Sequence, residues 1–190
     1  TIVSQRIEPE EIKIVVYDYD AVYADIKELK NVPDCYLYLE SPKSTWINVD
    51  GLKKTEVEKI CSYIGIQPLI TEDILSIGQR PKMDEIDGLL FCLLNMMYFN
   101  ERDSAVEVEQ ISIVLGKNFV VSFQEDASRD VFNPLRERLK INGSKVRQQG
   151  SDYLYYSLVD LIVDNYFVVM EKLGEKIERL EEDIVRSANT

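Results

Sequence analysis

Between Tyr153 and Met170 apolar residues recur so densely that a helix drawn through them is apolar almost all round, which predicts burial on most sides. Only Ser157, Asp160, Asp164 and Asn165 interrupt it. At i, i+3, i+7 and i+8 they share one narrow polar stripe. Beyond Gly174 the apolar set thins to a seam of Leu173, Ile177, Leu180 and Ile184, with Glu, Lys and Arg on the other faces, as in a coiled-coil arm. No Pro interrupts residues 151–185, and one helix there would run about 50 Å. That is too long for one compact domain, so the part beyond Gly174 is expected to project from the body. Glu181, Glu182 and Asp183 crowd the negative end of the helix dipole, where acidic groups are disfavoured. The chain also begins at Thr1 and not at Met. Either the helix continues in a longer protein or its end is frayed, and with the start at Thr1 the chain reads as a fragment.

Upstream, the period shortens. Residues 1–18 carry two apolar patches around a turn-like Glu8-Pro9-Glu10-Glu11, and Ile12–Tyr17 is β-rich and predicts a strand. Val22, Ile26 and Leu29 have helical spacing, so a helix is expected over Asp20–Lys30. Cys35–Leu39, between Pro33 and Pro42, is expected as a short strand. Thr45–Val49 predicts another, closed by Asp50-Gly51. Thr55 is placed to cap a helix that buries Val57, Ile60, Cys61 and Ile64 and stops at Gly65. Pro68 opens a second helix, on which Leu69 and Ile70 define the buried arc. Asp73 falls between them, where an apolar residue belongs. It is either a rim carboxylate that caps or pairs with Arg80 or Lys82, or a carboxylate kept at a subunit contact or cation site.

Gly78–Pro81 breaks the chain. Leu89–Tyr98, Val106–Leu115 and Phe119–Phe123 follow as three strands joined by connections short enough for hairpins. Asp130–Leu139 predicts a helix ended by Asn142-Gly143. Hairpins require antiparallel pairing and the earlier crossovers permit parallel pairing. The expected fold class is therefore α/β (α+β), a layered domain with a mixed parallel and antiparallel sheet over residues 1–150. Residues 151–190 begin a long helical arm.

Charge and composition narrow the chemistry. With 22 Lys and Arg against 34 Asp and Glu the net charge is −12, which argues against nucleic-acid phosphates and anionic membrane surfaces and is compatible with cations. The chain has no histidine. That excludes Ser-His and Cys-His catalysis and leaves oxygen ligands, suited to Mg²⁺, Ca²⁺ or Mn²⁺, for any metal. Cys35, Cys61 and Cys92 lack a metal-knuckle spacing and read as buried thiols in a reducing compartment. No signal peptide is visible, and the longest apolar run, Gly88–Phe99, is about 12 residues, too short to span a bilayer. No phosphate-binding or nucleophile-elbow motif is present. The carboxylate pairs Glu72/Asp73 and Asp160/Asp164 have no nucleophile beside them, so the chain does not read as an enzyme. Asp160 and Asp164, one helical turn apart, either face one cation or form a solvated face. Tyr153, Tyr155, Tyr156 and Tyr166 are expected to pack in the core or an interface.

TWINVDGL at 45–52, GIQPLITEDIL at 65–75, QRPK at 79–82, EQISIVLGKNFVVSFQE at 109–125, DVFNPLRERL at 130–139 and DYLYYSLVDLIVDNYFVVMEKL at 152–173 together resemble the cytoplasmic N-terminal domain of the CorA family of magnesium and cobalt transporters. The resemblance covers most of residues 45–185, in the family's order. It implies a layered α/β/α domain with a helical arm on the cytoplasmic face of the cell membrane. It further implies a homopentamer in the intact transporter, with two membrane helices and a Gly-Met-Asn pore signature downstream. The isolated chain is not expected to hold a stable pentamer by itself. The resemblance also implies a weak regulatory Mg²⁺ between neighbouring domains that favours the closed pore. Glu72, Asp73 and Asp160 match the family's carboxylates, and a further aspartate comes from the downstream stalk. Mg²⁺ or Co²⁺ is the implied transported ion. The alternatives are the zinc-transporting branch of the superfamily, a stand-alone soluble scaffold and, last, a carboxylate-dependent metallohydrolase.

Overall fold

The computed structural model describes residues 8–126 and 129–188; the apolar patch within residues 1–7 lies outside them. Seven strands form one sheet: β1 (Lys13–Tyr19), β2 (Ala24–Leu29), β3 (Ser44–Asp50), β4 (Lys82–Ile86), β5 (Leu89–Asn100), β6 (Ala105–Leu115) and β7 (Phe119–Gln124). Their order is β2-β1-β3-β7-β6-β5-β4. Only the central pair β3–β7 is parallel; the other five pairings are antiparallel. The helices are α1 (Tyr36–Leu39), α2 (Lys54–Ile64), α3 (Pro68–Leu75), α4 (Asn133–Lys140) and α5 (Ser151–Ala188). The mixed sheet between helical layers is the expected architecture.

Two segments fold against expectation. The Asp20–Lys30 region is not a helix but a four-residue turn followed by β2. Asp20 Oδ1 accepts the N–H groups of Val22 (2.8 Å) and Tyr23 (2.7 Å), the bonds a helix N-cap would make. The Asp20 N–H, however, closes onto Tyr23 O at 2.8 Å, and the chain turns back to pair Tyr19 with Ala24. Val22, which a helix would bury, is 80% exposed. Cys35–Leu39 is helical and not a strand: a 3-10 turn over Val32–Cys35, started by Pro33, runs directly into α1. Strand β4 has no counterpart in the expected element order. Its type of signal is present: Asp87 (φ 52°) and Gly88 (φ 80°) form the two-residue turn that closes β4 onto β5.

Thr55 does not cap α2, whose N-cap is Lys53. The Lys54 N–H instead donates to Glu8 Oε1 at 2.7 Å, placing a carboxylate at the positive helix end. Gly65, with φ 82°, ends α2 as expected. Helix α4 starts later than expected because Asp130 is used as a local acceptor, taking the Phe132 N–H at 3.1 Å.

Each face of the sheet carries its own core. On one face Ile14, Val16, Ile47, Val49, Phe91 and Val121 pack against α2 and α3. On the other Tyr17, Trp46, Met96, Ile111, Ile113 and Val120 pack against α4 and α5. Cys35, Cys61 and Cys92 are buried and unbridged, and burial pushes the thiols of Cys35 and Cys61 up to about 12.

Helix α5 is continuous through Gly174, but it is not buried on most sides. Leu154, Tyr155, Leu158, Ile162 and Val169 face the sheet, whereas Tyr156, Val163, Phe167 and Met170 are exposed. A helix lying on one sheet has only one face covered. The arm also leaves the body later than Gly174. Lys172 Nζ lies 3.2 Å from Glu101, and Lys176 Nζ donates to Ser104 O at 2.6 Å, so the β5–β6 tip holds the helix through Lys176. In a Lys172→Ala/Lys176→Ala variant, amide exchange across residues 170–180 is expected to rise by about fivefold, the scale of losing two surface ties, with β1 and β3 unchanged. Hydrogen exchange read by mass spectrometry checks this.

Candidate functional site

Helix α3 is short and its C-terminal end is pinned from the sheet. The buried Gln110 of β6 donates from Nε2 to Asp73 O (3.0 Å) and Ser76 O (2.9 Å), and its Oε1 accepts the Gln79 N–H. Two carbonyls at this end, of the kind that a helix leaves without intrahelical partners, are thereby satisfied. Gln110 was not singled out from the sequence; a polar residue preceding the apolar run Ile111–Leu115 was the available signal.

The buried face of α3 is Ile70, Thr71 and Ile74, while Leu69 is 71% exposed. The arc is therefore rotated from the expected one, and Asp73 stands at its rim. Its side chain is 14% exposed, and Lys82 Nζ sits 2.5 Å from Oδ2. This is the pairing with Lys82 that the sequence left open. Glu72 points outward into an open groove of about 830 Å³ between α2 and α3, which Lys54, Glu58, Ser62 and Thr71 also line.

Asp160 lies on the exposed side of α5, where Tyr156, one turn earlier, donates its hydroxyl to Oδ1 at 3.1 Å. That bond to a carboxylate raises Tyr156 above the usual phenol value. The polar stripe on α5 is not one surface in use. Ser157 is buried and bonds back to Tyr153 O, and Asn165 Nδ2 donates to Met97 O. Asp160 and Asp164 face solvent, the solvated arrangement weighed for them above.

Glu72 and Asp73 therefore sit in the helical layer on one face of the sheet and Asp160 in the layer on the other. Among the described residues no three Asp, Glu or Cys side chains gather as a metal-holding group. The three carboxylates do fit a hard cation in donor chemistry, and Glu72 and Asp160 are open to solvent. A site using all three has to be completed by a second surface.

A mixed-sheet α/β/α body carrying a 38-residue helix that outruns it defines a class of layered domain with a helical arm. Residues 42–190 match the family described as CorA-like Mg²⁺ transporter protein, and the chain belongs to that family. It is 38% identical over 179 residues to the cobalt/magnesium transport protein CorA of Thermotoga maritima, covering 93% of this chain and 50% of that protein. The chain spans about half the length of that protein and of the putative metal ion transporter YfjQ of Bacillus subtilis. The soluble domain of CorA from Methanocaldococcus jannaschii shares the fold at a TM-score of 0.62 and 18% identity, over 95% of this chain and 67% of that one. The ZntB cytoplasmic domain from Vibrio parahaemolyticus shares it at 0.64 and 12%, over 88% and 64%. Among the described residues no helix is long and apolar enough to cross a membrane.

Proposed function

We propose that this chain is the ion-sensing part of a CorA-like divalent-cation transporter that moves Mg²⁺ or Co²⁺. In this reading it stands on the cytoplasmic face of the membrane, in a homopentamer whose membrane helices lie downstream. Its task is regulatory and not catalytic. Glu72, Asp73 and Asp160 contribute to a weak Mg²⁺ site between neighbouring copies, of about millimolar affinity. A bound cation would neutralise carboxylates that otherwise repel across the contact. It shifts the assembly toward the closed pore only through its preference for the clamped arrangement. The placement of Asp73 carries the site reading: a mostly buried carboxylate kept at the rim of a helix whose end Gln110 fixes.

The test is Mg²⁺ inhibition of transport by the full-length protein carrying Asp73→Asn and Asp160→Asn. The Mg²⁺ midpoint for inhibition is expected to rise by about tenfold or more, the scale of one lost charge-assisted contact. Asp164→Asn should leave it unchanged. A double variant with unaltered midpoint and extent overturns the assignment. The second reading is the zinc-transporting branch of the superfamily, and selective uptake of Zn²⁺ over Mg²⁺ would favour it.

A further inference from the structure

We propose that Lys82 is a built-in competitor for the regulatory cation, an ammonium that occupies Asp73 in the ion-free chain and sets the Mg²⁺ concentration at which the site fills. The inference rests on the preceding reading of Asp73. Lys82 opens β4, nine residues after Asp73, and reaches back across the Gly78–Pro81 break to place Nζ 2.5 Å from Oδ2. The Asp73 side chain is 14% exposed and that of Lys82 is 35% exposed. The carboxylate is thus too buried to stand alone without cost, and its partner is open enough to swing into water.

Those two exposures give the pair its asymmetry. A carboxylate mostly withdrawn from solvent requires a counter-charge. Lysine is a compact, strongly hydrated point charge on a flexible stem, so it can leave Oδ2 for water. The end of α3 is fixed by the Gln110 bonds to Asp73 O and Ser76 O, so Asp73 need not move when Lys82 departs. Any divalent cation drawing on Asp73 must displace this ammonium or share the carboxylate with it. Its apparent affinity falls by the factor that the pair stabilises the ion-free state, as for any ligand whose competent state is only partly populated. Arg80, the other cation near this break, is exposed and forms none of the ion pairs found among the described residues with Asp73.

The experiment uses the full-length protein and reads resistance to subtilisin across a MgCl₂ titration, so that transport is not the only measure. Lys82→Met is expected to lower the protecting midpoint by about fivefold to tenfold, the equivalent of one partly buried pair. Lys82→Gln keeps a donor to Asp73 without the charge and guards against misfolding of the Met variant; it should shift the midpoint the same way. Lys82→Arg should stay near the parent, and Lys82→Met should have no effect when combined with Asp73→Asn. If both neutral variants leave the midpoint unchanged while Asp73→Asn raises it, the competitor role is overturned and the site stands. If Asp73→Asn itself leaves the midpoint unchanged, the site reading fails, and the competitor role fails with it.

Discussion

Replacing Arg136 by Met is expected to lower the stability of the folded chain by about 3–5 kcal/mol, the usual cost of stripping one partner from a buried ion pair. The Asp130 side chain is fully buried. Arg136 grips it with both ends of the guanidinium, Nη1 on Oδ1 at 2.7 Å and Nη2 on Oδ2 at 2.5 Å. Asp130 Oδ2 also accepts Gln124 Nε2 at 2.8 Å, and the same amide reaches Asp50 Oδ1 at 2.6 Å. Burial holds the Asp50 carboxyl above its ordinary range, and Asp130 adds to this, while Gln124, Arg136 and Asn48 pull it down. Without Arg136 the Asp50 value should rise further.

A raised folded value means that the folded chain holds this proton more tightly than the unfolded chain. Protonation of Asp50 therefore favours folding. That contribution is full below the ordinary carboxylate range and lost as pH rises through the folded value. The Arg136→Met deficit should consequently be larger at neutral pH than in mild acid. Arg136→Lys should recover only part of it, because one ammonium cannot reproduce the two-pronged grip. Urea denaturation at two pH values reads both effects. A loss below 1 kcal/mol would mean that Asp130 finds another partner.

Trp46→Ala is expected to cost a similar 3–5 kcal/mol, about the range for emptying a large aromatic from a core. The indole is completely buried. It stacks on Tyr17 at 4.8 Å between ring centroids and meets the edge of Phe132 at 5.9 Å. Its Nε1 donates to Ser122 Oγ at 2.9 Å, and Ser122 in turn donates to Asn48 Oδ1 at 2.6 Å. These bonds bridge the parallel strand pair β3–β7. Trp46→Phe should fall between the parent and Trp46→Ala: it keeps most of the packing but leaves Ser122 without its donor. Equal losses for Phe and Ala would assign the whole effect to the hydrogen bond. Chemical denaturation followed by far-UV circular dichroism, which does not rely on the lost indole, gives the comparison.

The central strands and the long helix were legible in the sequence because their local signals and their burial agree. The runs around Thr45–Val49 and Val106–Leu115 are rich in β-branched residues and become strands, the first buried throughout and the second from Gln110 to Val114, and the Pro-free stretch after Ser151 becomes one helix. The edges were not legible. ADIKEL in β2 and KMDEI in β4 carry the charges that protect an open sheet edge, and those charges erase the apolar alternation that marks a strand. At β2 the misleading cue was the helical spacing of Val22, Ile26 and Leu29, of which Val22 ends in the turn, 80% exposed.

The carboxylates divide in the same way. Local periodicity singled out Asp73, but on an arc drawn through Leu69 and Ile70; the buried arc runs through Ile70, Thr71 and Ile74, and Asp73 stands at its rim. Periodicity was not enough to choose Lys82 as the partner, since that choice depends on where β4 starts. For α5, the sequence determined a helix and its length but overstated its burial. A helical pattern records which faces are apolar, whereas the number of surfaces packed against them is set by the rest of the chain. Here one sheet covers one face. Thus Asp160 lies in solvent beside Tyr156, and Glu72 and Asp73 belong to the helical layer on the opposite face of that sheet. The sequence by itself determined the central strands, the long helix and the chemistry of the carboxylates. Only the tertiary structure decided which of them meet, because pairing across a sheet is fixed by strand order and layer, neither of which is written in local spacing.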